Sequence, residues 1–303
     1  MAGHVTAAIT ELFSQAGCTG QLCVQSLDGT REVALDAELP AVAASVFKIC
    51  VALEAETQFA EGLDPHERVT LAASRRTPGP VGFSLYCDDV SVSLQDLVVS
   101  MLTISDNVAT DALLDRLGID AVNARCARLG LTGTVIVADL RTTIDSIGLA
   151  AGFSGWDAMS AWASEPRSES DERRIDQLVM KADALTAERA TRTTPRDMVT
   201  LLQLIWLDQA GPVRVCRRVR QLMSQQLTRH RLAAAFRPPV RVSAKSGGLV
   251  GVIRNEVGVI EYPDGEAYAA AVFTQISEPG QDSAAIDRVI GAAAAAAISE
   301  LRG

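Results

Sequence analysis

Lysine is nearly missing from this sequence. Of 28 cationic side chains in 303 residues, 25 are arginine, and only Lys48, Lys181 and Lys245 are lysine. Composition bias accounts for the scarcity but not for the positions kept. Arginine holds its proton in proteins while lysine can shed it, so the three positions are worth following. Positive charge is also short: 37 acidic residues bring the net charge to −9. Nucleic-acid binding and polybasic membrane attachment rest on clustered positive charge, so neither partner is expected. Histidine occurs three times (His4, His66 and His230), without ligand spacing to one another or to the cysteines, none of which forms a C-x-x-C pair. A zinc site is thus unsupported, and no metal or other cofactor is expected. No stretch has the length and apolarity of a membrane span. Charged residues at 21% and apolar residues at 48% are ordinary for a globular chain and exclude a disordered one.

The N-terminal stretch lacks a basic segment followed by an unbroken apolar run. Val5, Ile9, Leu12 and Phe13 instead recur at helical spacing, and Gly17 closes the segment. Without a secretory signal the expectation is a cytoplasmic protein, or a secreted one whose start has been processed or re-engineered. Cys18, Cys23, Cys50, Cys87, Cys126 and Cys216 are scattered, and read as reduced, buried small side chains. The length allows two lobes or one large domain, with a core that needs no disulfides.

Short β-like runs at 21–27 and 31–35 flank Asp28-Gly29, a strong hairpin signal. From about 41 to 207 the apolar spacing is helical, most clearly over 46–59, 94–104, 108–117 and 198–207. A rigid loop, Thr77 to Gly82, breaks this region, and 164–174 is the most polar stretch, an exposed connection. Beyond Val240 the period returns to two. Strands are predicted over 241–244, 250–260 and 267–275, with a turn at Pro263-Asp264-Gly265, then an alanine-rich helix over 283–301. The pattern predicts an α/β plus all-α architecture. Residues 1–40 and 208–303 form a discontinuous α/β lobe, and 41–207 an inserted all-helical lobe.

Three short motifs could carry chemistry. Ser45 and Lys48 begin a helix and lie three apart on one face, where a desolvated lysine can take the proton of a serine nucleophile. Taken alone, so short a pattern is better explained by a helix cap and a solvated lysine. Ser105-Asp106-Asn107 joins two apolar helices; it offers a hydroxyl relay and an amide, or simply a helix cap. Lys245-Ser246-Gly247-Gly248 follows a β run, where it could bind a carboxylate and line a substrate amide, or mark a bulge. No G-x-S-x-G, H-E-x-x-H or G-x-x-x-x-G-K-[ST] motif is present.

Order and spacing change the odds. Ser105 follows Ser45 by 60 residues and Lys245 follows Ser105 by 140, and S-x-x-K, S-D-N and K-T-G together are a known serine-hydrolase signature. The chain resembles class A β-lactamases and related penicillin-recognising serine hydrolases. Thr193-Thr194-Pro195, Phe273-Thr274-Gln275 and Arg254, nine residues after Lys245, match further family features. The resemblance runs from about Ala7 to the last helix, except between 139 and 190.

That resemblance implies a β-lactamase/transpeptidase-like fold, an antiparallel sheet flanked by terminal helices with the helical lobe inserted. It implies acyl-enzyme chemistry on Ser45, with Lys48 as base, Ser105 as proton relay and Lys245 supporting it. The oxyanion hole would be the backbone N–H groups of Ser45 and Gly248. Asn107, Ser246, Gly247 and Arg254 would bind a small-molecule substrate carrying a carboxylate, and Phe83 or Tyr86 would roof the pocket. One family feature is lacking: no E-x-x-L-N, the loop that carries the deacylating glutamate, occurs in the chain. Glu165, followed by Pro166, is the nearest substitute, with Glu169 and Glu172 in the same polar stretch. Three functions stay open: hydrolysis of a β-lactam or related cyclic amide, an esterase, amidase or DD-peptidase-like activity, and a penicillin-binding sensor that does not turn over.

Overall fold

The computed structural model describes residues 2–276, 278–279 and 281–303. The first helix, α1 (Ala2–Gln15), ends before Gly17, whose φ of +76° suits glycine. Strands β1 (Cys18–Ser26) and β2 (Glu32–Leu35) form the expected hairpin. At its tip Asp28 Oδ1 accepts from Ser26 Oγ (2.5 Å) and from the Thr30 amide (3.0 Å). After β3 (Ala41–Val42), a 3₁₀ turn over Ala44–Phe47 runs into α2 (Lys48–Glu61). Every residue of α2 from Lys48 to Ala55 is buried, which marks it as the central helix of the molecule.

Strands β4 (Arg68–Leu71) and β5 (Val90–Ser93) pair with each other, an element the helical pattern conceals because each has only four residues. Then come α3 (Leu94–Thr103), α4 (Asn107–Leu117), α5 (Ile119–Arg128), α6 (Leu140–Ala150), α7 (Trp156–Ala163) and α8 (Glu169–Val179). Strand β6 (Arg192–Thr193) pairs with β3, and Thr194 caps α9 (Pro195–Trp206) by accepting from the Asp197 amide at 2.9 Å. Helix α10 (Val213–Ser224) packs on α2, α9 and β7 (Arg241–Leu249). Strands β8 (Ile253–Glu261) and β9 (Ala267–Ile276) and helix α11 (Ser283–Arg302) complete the chain.

The five long strands form one antiparallel sheet in the order β2-β1-β9-β8-β7. Alternate residues of a strand point to opposite faces, and here each face has its own core. Leu22, Ile260 and Val272 meet α1 and α11, while Cys23, Val259 and Ala271 join the larger core built on α2, α3, α4, α9 and α10. A sheet covered on both sides is apolar nearly throughout, which is why β8 and β9 are continuous buried runs.

The structure corrects two boundaries. Strand β7 does not stop at Ala244 but continues through Lys245-Ser246-Gly247-Gly248 to Leu249, in unbroken register with β8. Alternating hydrophobicity cannot report a strand whose residues are chosen for a site. Val250, expected to open the next strand, lies in the turn at φ +42°, beside Gly251 at +76°.

Candidate active site

The 3₁₀ turn sets Ser45 at the head of the central helix, with Val46 and Phe47 buried as its anchors. Ala44 before it adopts φ +43°, a left-handed conformation that needs outside support. Support comes from both sides. Ala43 donates its amide to Thr191 O (2.9 Å), and Asn255 Nδ2 on β8 donates to Val42 O (2.9 Å) and Ala43 O (3.3 Å). Asn255 Oδ1 in turn accepts from the Thr274 amide (3.1 Å), so the nucleophile turn is hung on the middle of the sheet.

Lys48, one turn on, is wholly buried. Its Nζ donates to Ser105 O (2.7 Å), Ser105 Oγ (3.2 Å) and Asn107 Oδ1 (2.9 Å), which uses all three ammonium protons. Burial lowers its pKa to about 7, against the opposing pull of Asp106 and Asp111. The middle residue of the tripeptide does the capping. Asp106 accepts from the Ala109 amide (3.1 Å), the Phe83 amide (2.8 Å) and Ser100 Oγ (2.8 Å). With that carboxylate turned inward, and Ser105 at φ +65°, the Ser105 hydroxyl and the Asn107 amide both face Lys48. Asn107 Nδ2 donates to Pro78 O (2.9 Å) and so fixes the orientation of the amide.

The second motif lysine is equally enclosed. Lys245 Nζ donates to Ser246 O (2.7 Å), and burial, reinforced by the charge of Lys48, holds its pKa well below the ordinary lysine value. Glu256 works the other way on Lys245. This buried carboxylate on β8 accepts from Gln226 Nε2 (2.9 Å) and the Leu232 amide (2.5 Å), while Gln226 Oε1 accepts from the Ser246 amide. At Gly247 a Cβ would sit 3.1 Å from Ala43 O and 3.2 Å from Ser45 N, tighter than ordinary contact, so glycine lets β7 close on the turn that carries Ser45. Gly248 pairs with Arg254 across the sheet. Arg254 makes a two-pronged contact with Asp287 on α11, Nε to Oδ1 at 2.9 Å and Nη2 to Oδ2 at 2.6 Å. Asp287 also accepts from Arg231 Nε (2.7 Å), and Arg231 Nη1 donates to Gly247 O and Asn255 O at 2.7 Å each.

Ser45, Asn107 and Gly248 line one cavity of about 50 Å³ together with Leu140, Thr143 and Ile144 of α6. Among the described residues no carboxylate lines it. Asn107, Ile144 and Gly248 also line a cleft of about 770 Å³ that leads outward past Tyr86. Phe83 stacks edge-on against Tyr86 (centroids 5.4 Å apart) but packs toward the larger core. The acidic residues of the polar stretch lie elsewhere. Glu165 is exposed in the loop between α7 and α8, Glu169 pairs with Arg173 (2.6 Å), and Glu172 pairs with Arg167 (3.0 Å). Among the described residues no group of histidine, cysteine and carboxylate side chains could hold a metal ion.

Gln226, Arg231, Asn255, Glu256 and Asp287 were not anticipated. A trace existed for two of them, because Asn255 and Glu256, together with Arg254, are polar residues that interrupt the apolar run of their strand.

The family model described as the β-lactamase enzyme family matches residues 4–301. The chain belongs to that family. A relative in Streptomyces cacaoi, described as the β-lactamase regulatory protein BlaB, is 29% identical over 287 residues, 89% of each chain. Among solved structures, an ancestral class A β-lactamase superposes with a TM-score of 0.75 at 20% identity, over 98% of this chain and 99% of that one. A mutant of PBP-A, described as an acyl-enzyme complex with penicillin G, superposes at 0.73 and 20% identity, over 99% and 97%. The fold is therefore that of the class A β-lactamases: an antiparallel sheet flanked by terminal helices, with a helical portion inserted.

Proposed function

We propose that this protein captures β-lactams or related cyclic amides as an acyl-enzyme on Ser45 and releases them slowly, acting as a penicillin-binding sensor more than as a rapid hydrolase. The observation that carries the reading is the cavity beside Ser45: no carboxylate among the described residues lines it, while Lys48 lies behind it, bonded to Ser105 and to the cavity-lining Asn107. Neutral Lys48 takes the proton of Ser45 as its Oγ bonds to the carbonyl carbon. The oxyanion is held by the amides of Ser45 and Gly248, a stabilisation worth about 3–4 kcal/mol per donor in well-studied hydrolases. When the ring C–N bond breaks, the proton moves from Lys48 through the Ser105 hydroxyl, 3.2 Å away, to the leaving nitrogen. Lys245 draws the substrate carboxylate, Arg254 being committed to Asp287, and Asn107 holds the amide.

Hydrolysis of the ester then needs an activated water. A positioned general base is worth about 10²–10⁴-fold, and Leu140, Thr143 and Ile144 offer only a hydroxyl and aliphatic carbon at that place. The description of the Streptomyces relative as a regulatory protein accords with this reading. The test is the intact mass of the protein after benzylpenicillin. The adduct should form, persist long after free drug is removed, and be absent in Ser45→Ala. Rapid return of the unmodified mass with sustained nitrocefin hydrolysis would instead make this a turnover β-lactamase.

A further inference from the structure

The outer cleft contains a side chain that the acylation chemistry does not use. Arg76, just before the Thr77 to Gly82 loop, lines its wall. Its Nη2 donates to Asp88 O, but Nε and Nη1 are buried without a hydrogen-bond partner. They are the only such side-chain atoms among the described residues. A guanidinium cannot escape this by losing its proton, and buried charged donors left unpaired are costly. The other cation of the wall, Arg141, is fully engaged, with Asp145 (2.7 Å), with Asp157 (2.9 Å) and with Arg76 O (3.4 Å). Asp157, the one carboxylate in the lining, is thereby committed. Arg76 is also close in chain and space to the reacting end. It precedes Pro78 by two residues, and Pro78 O accepts from the same Asn107 amide whose Oδ1 meets Lys48.

We propose that Arg76 forms an anion subsite for the acyl arm of the ligand, so that the preferred ligand carries a second carboxylate there, apart from the one drawn toward Lys245. The subsite rests on Ser45 acylation as described above. The carboxylate would accept from one of the two unpaired donors, Nε or Nη1, which lie on opposite edges of the guanidinium, once the side chain turns that edge toward the cleft.

Two penicillins that differ only by a carboxylate on the acyl arm, α-carboxybenzylpenicillin and benzylpenicillin, are compared by their rates of adduct formation. The ratio of the first to the second should fall about tenfold in Arg76→Gln, the loss typical of a charged hydrogen bond. Because each variant serves as its own reference, a general loss of folding cancels. An unchanged ratio overturns the subsite. Failure of both penicillins to label the wild-type protein overturns the acylation reading instead, and the subsite is then judged by the isolated arms. Phenylmalonate should quench tryptophan fluorescence, Trp156 being in the cleft wall, at about tenfold lower concentration than phenylacetate. Arg76→Gln should remove that difference, and equal binding of the two arms by the wild type would refute the proposal.

Discussion

Lys48 combines two properties that seldom coincide: complete burial and three good acceptors around the nitrogen. Desolvation favours the neutral amine, while the Ser105 and Asn107 oxygens keep the cation tolerable. The result is a side chain that changes protonation near pH 7. Only the neutral form can accept the Ser45 proton. The rate of adduct formation should therefore rise with pH through about 7 and level off above it, rather than climbing toward the ordinary lysine range. Lys48→Arg keeps the charge but cannot release a proton. It should slow acylation by about 100-fold or more and abolish the rise near neutrality. Rapid labelling by that variant, with the rise intact, would move the base elsewhere.

At the level of elements, the site is an encounter between a helix head and a strand. The 3₁₀ turn before α2 presents Ser45, and β7 passes so close that a Cβ on Gly247 would crowd the backbone of Ala43 and Ser45. Asn255, one strand further in, pins the turn by its carbonyls. Gly247→Ala would push β7 and the turn apart by a few tenths of an ångström, where both proposed oxyanion donors sit. Misplacement on the ångström scale can cost about 100-fold in rate. The variant should keep its circular dichroism and melting behaviour but acylate at least about tenfold more slowly. Acylation at the wild-type rate would show that the two elements can separate without loss of geometry.

Across the whole molecule, Asp287 joins the last helix to the sheet and, through Arg231, to the strand that carries Lys245 and Gly248. Burial alone would raise its pKa, but Arg254 and Arg231 outweigh this and hold it below the ordinary carboxylate value. A depressed folded pKa adds stability that is present above the unfolded pKa and is lost as pH falls through the folded one. Asp287→Ala would leave Arg231, only 7% exposed, without its carboxylate. Removing one partner from a buried ion pair costs about 3–5 kcal/mol, so the midpoint of urea unfolding should drop sharply. A midpoint within experimental scatter of the wild type would mean that the arginines find other partners.

The sequence by itself determined the side chains of the proposed chemistry at short range. Ser45 with Lys48, the Ser105 to Asn107 cap and the Lys245 to Gly248 stretch are legible because each function needs particular side chains at a local spacing. The hairpin at Asp28-Gly29 and the long helices were legible for the same reason, since turn chemistry and apolar period are local. Folding decided the rest. Asn255, Glu256 and Asp287 read as unremarkable polar residues until a sheet covered on both faces buries them, because the partners that hold them lie 30 to 213 residues away in the chain. Glu165 is the converse case. Its neighbour Pro166 suggested a site residue, yet α7 and α8 hold it in solvent while α6 supplies the cavity wall. Whether a carboxylate reaches the water beside an acylated serine depends on how helices pack, and packing is a property of the folded chain that no local spacing encodes.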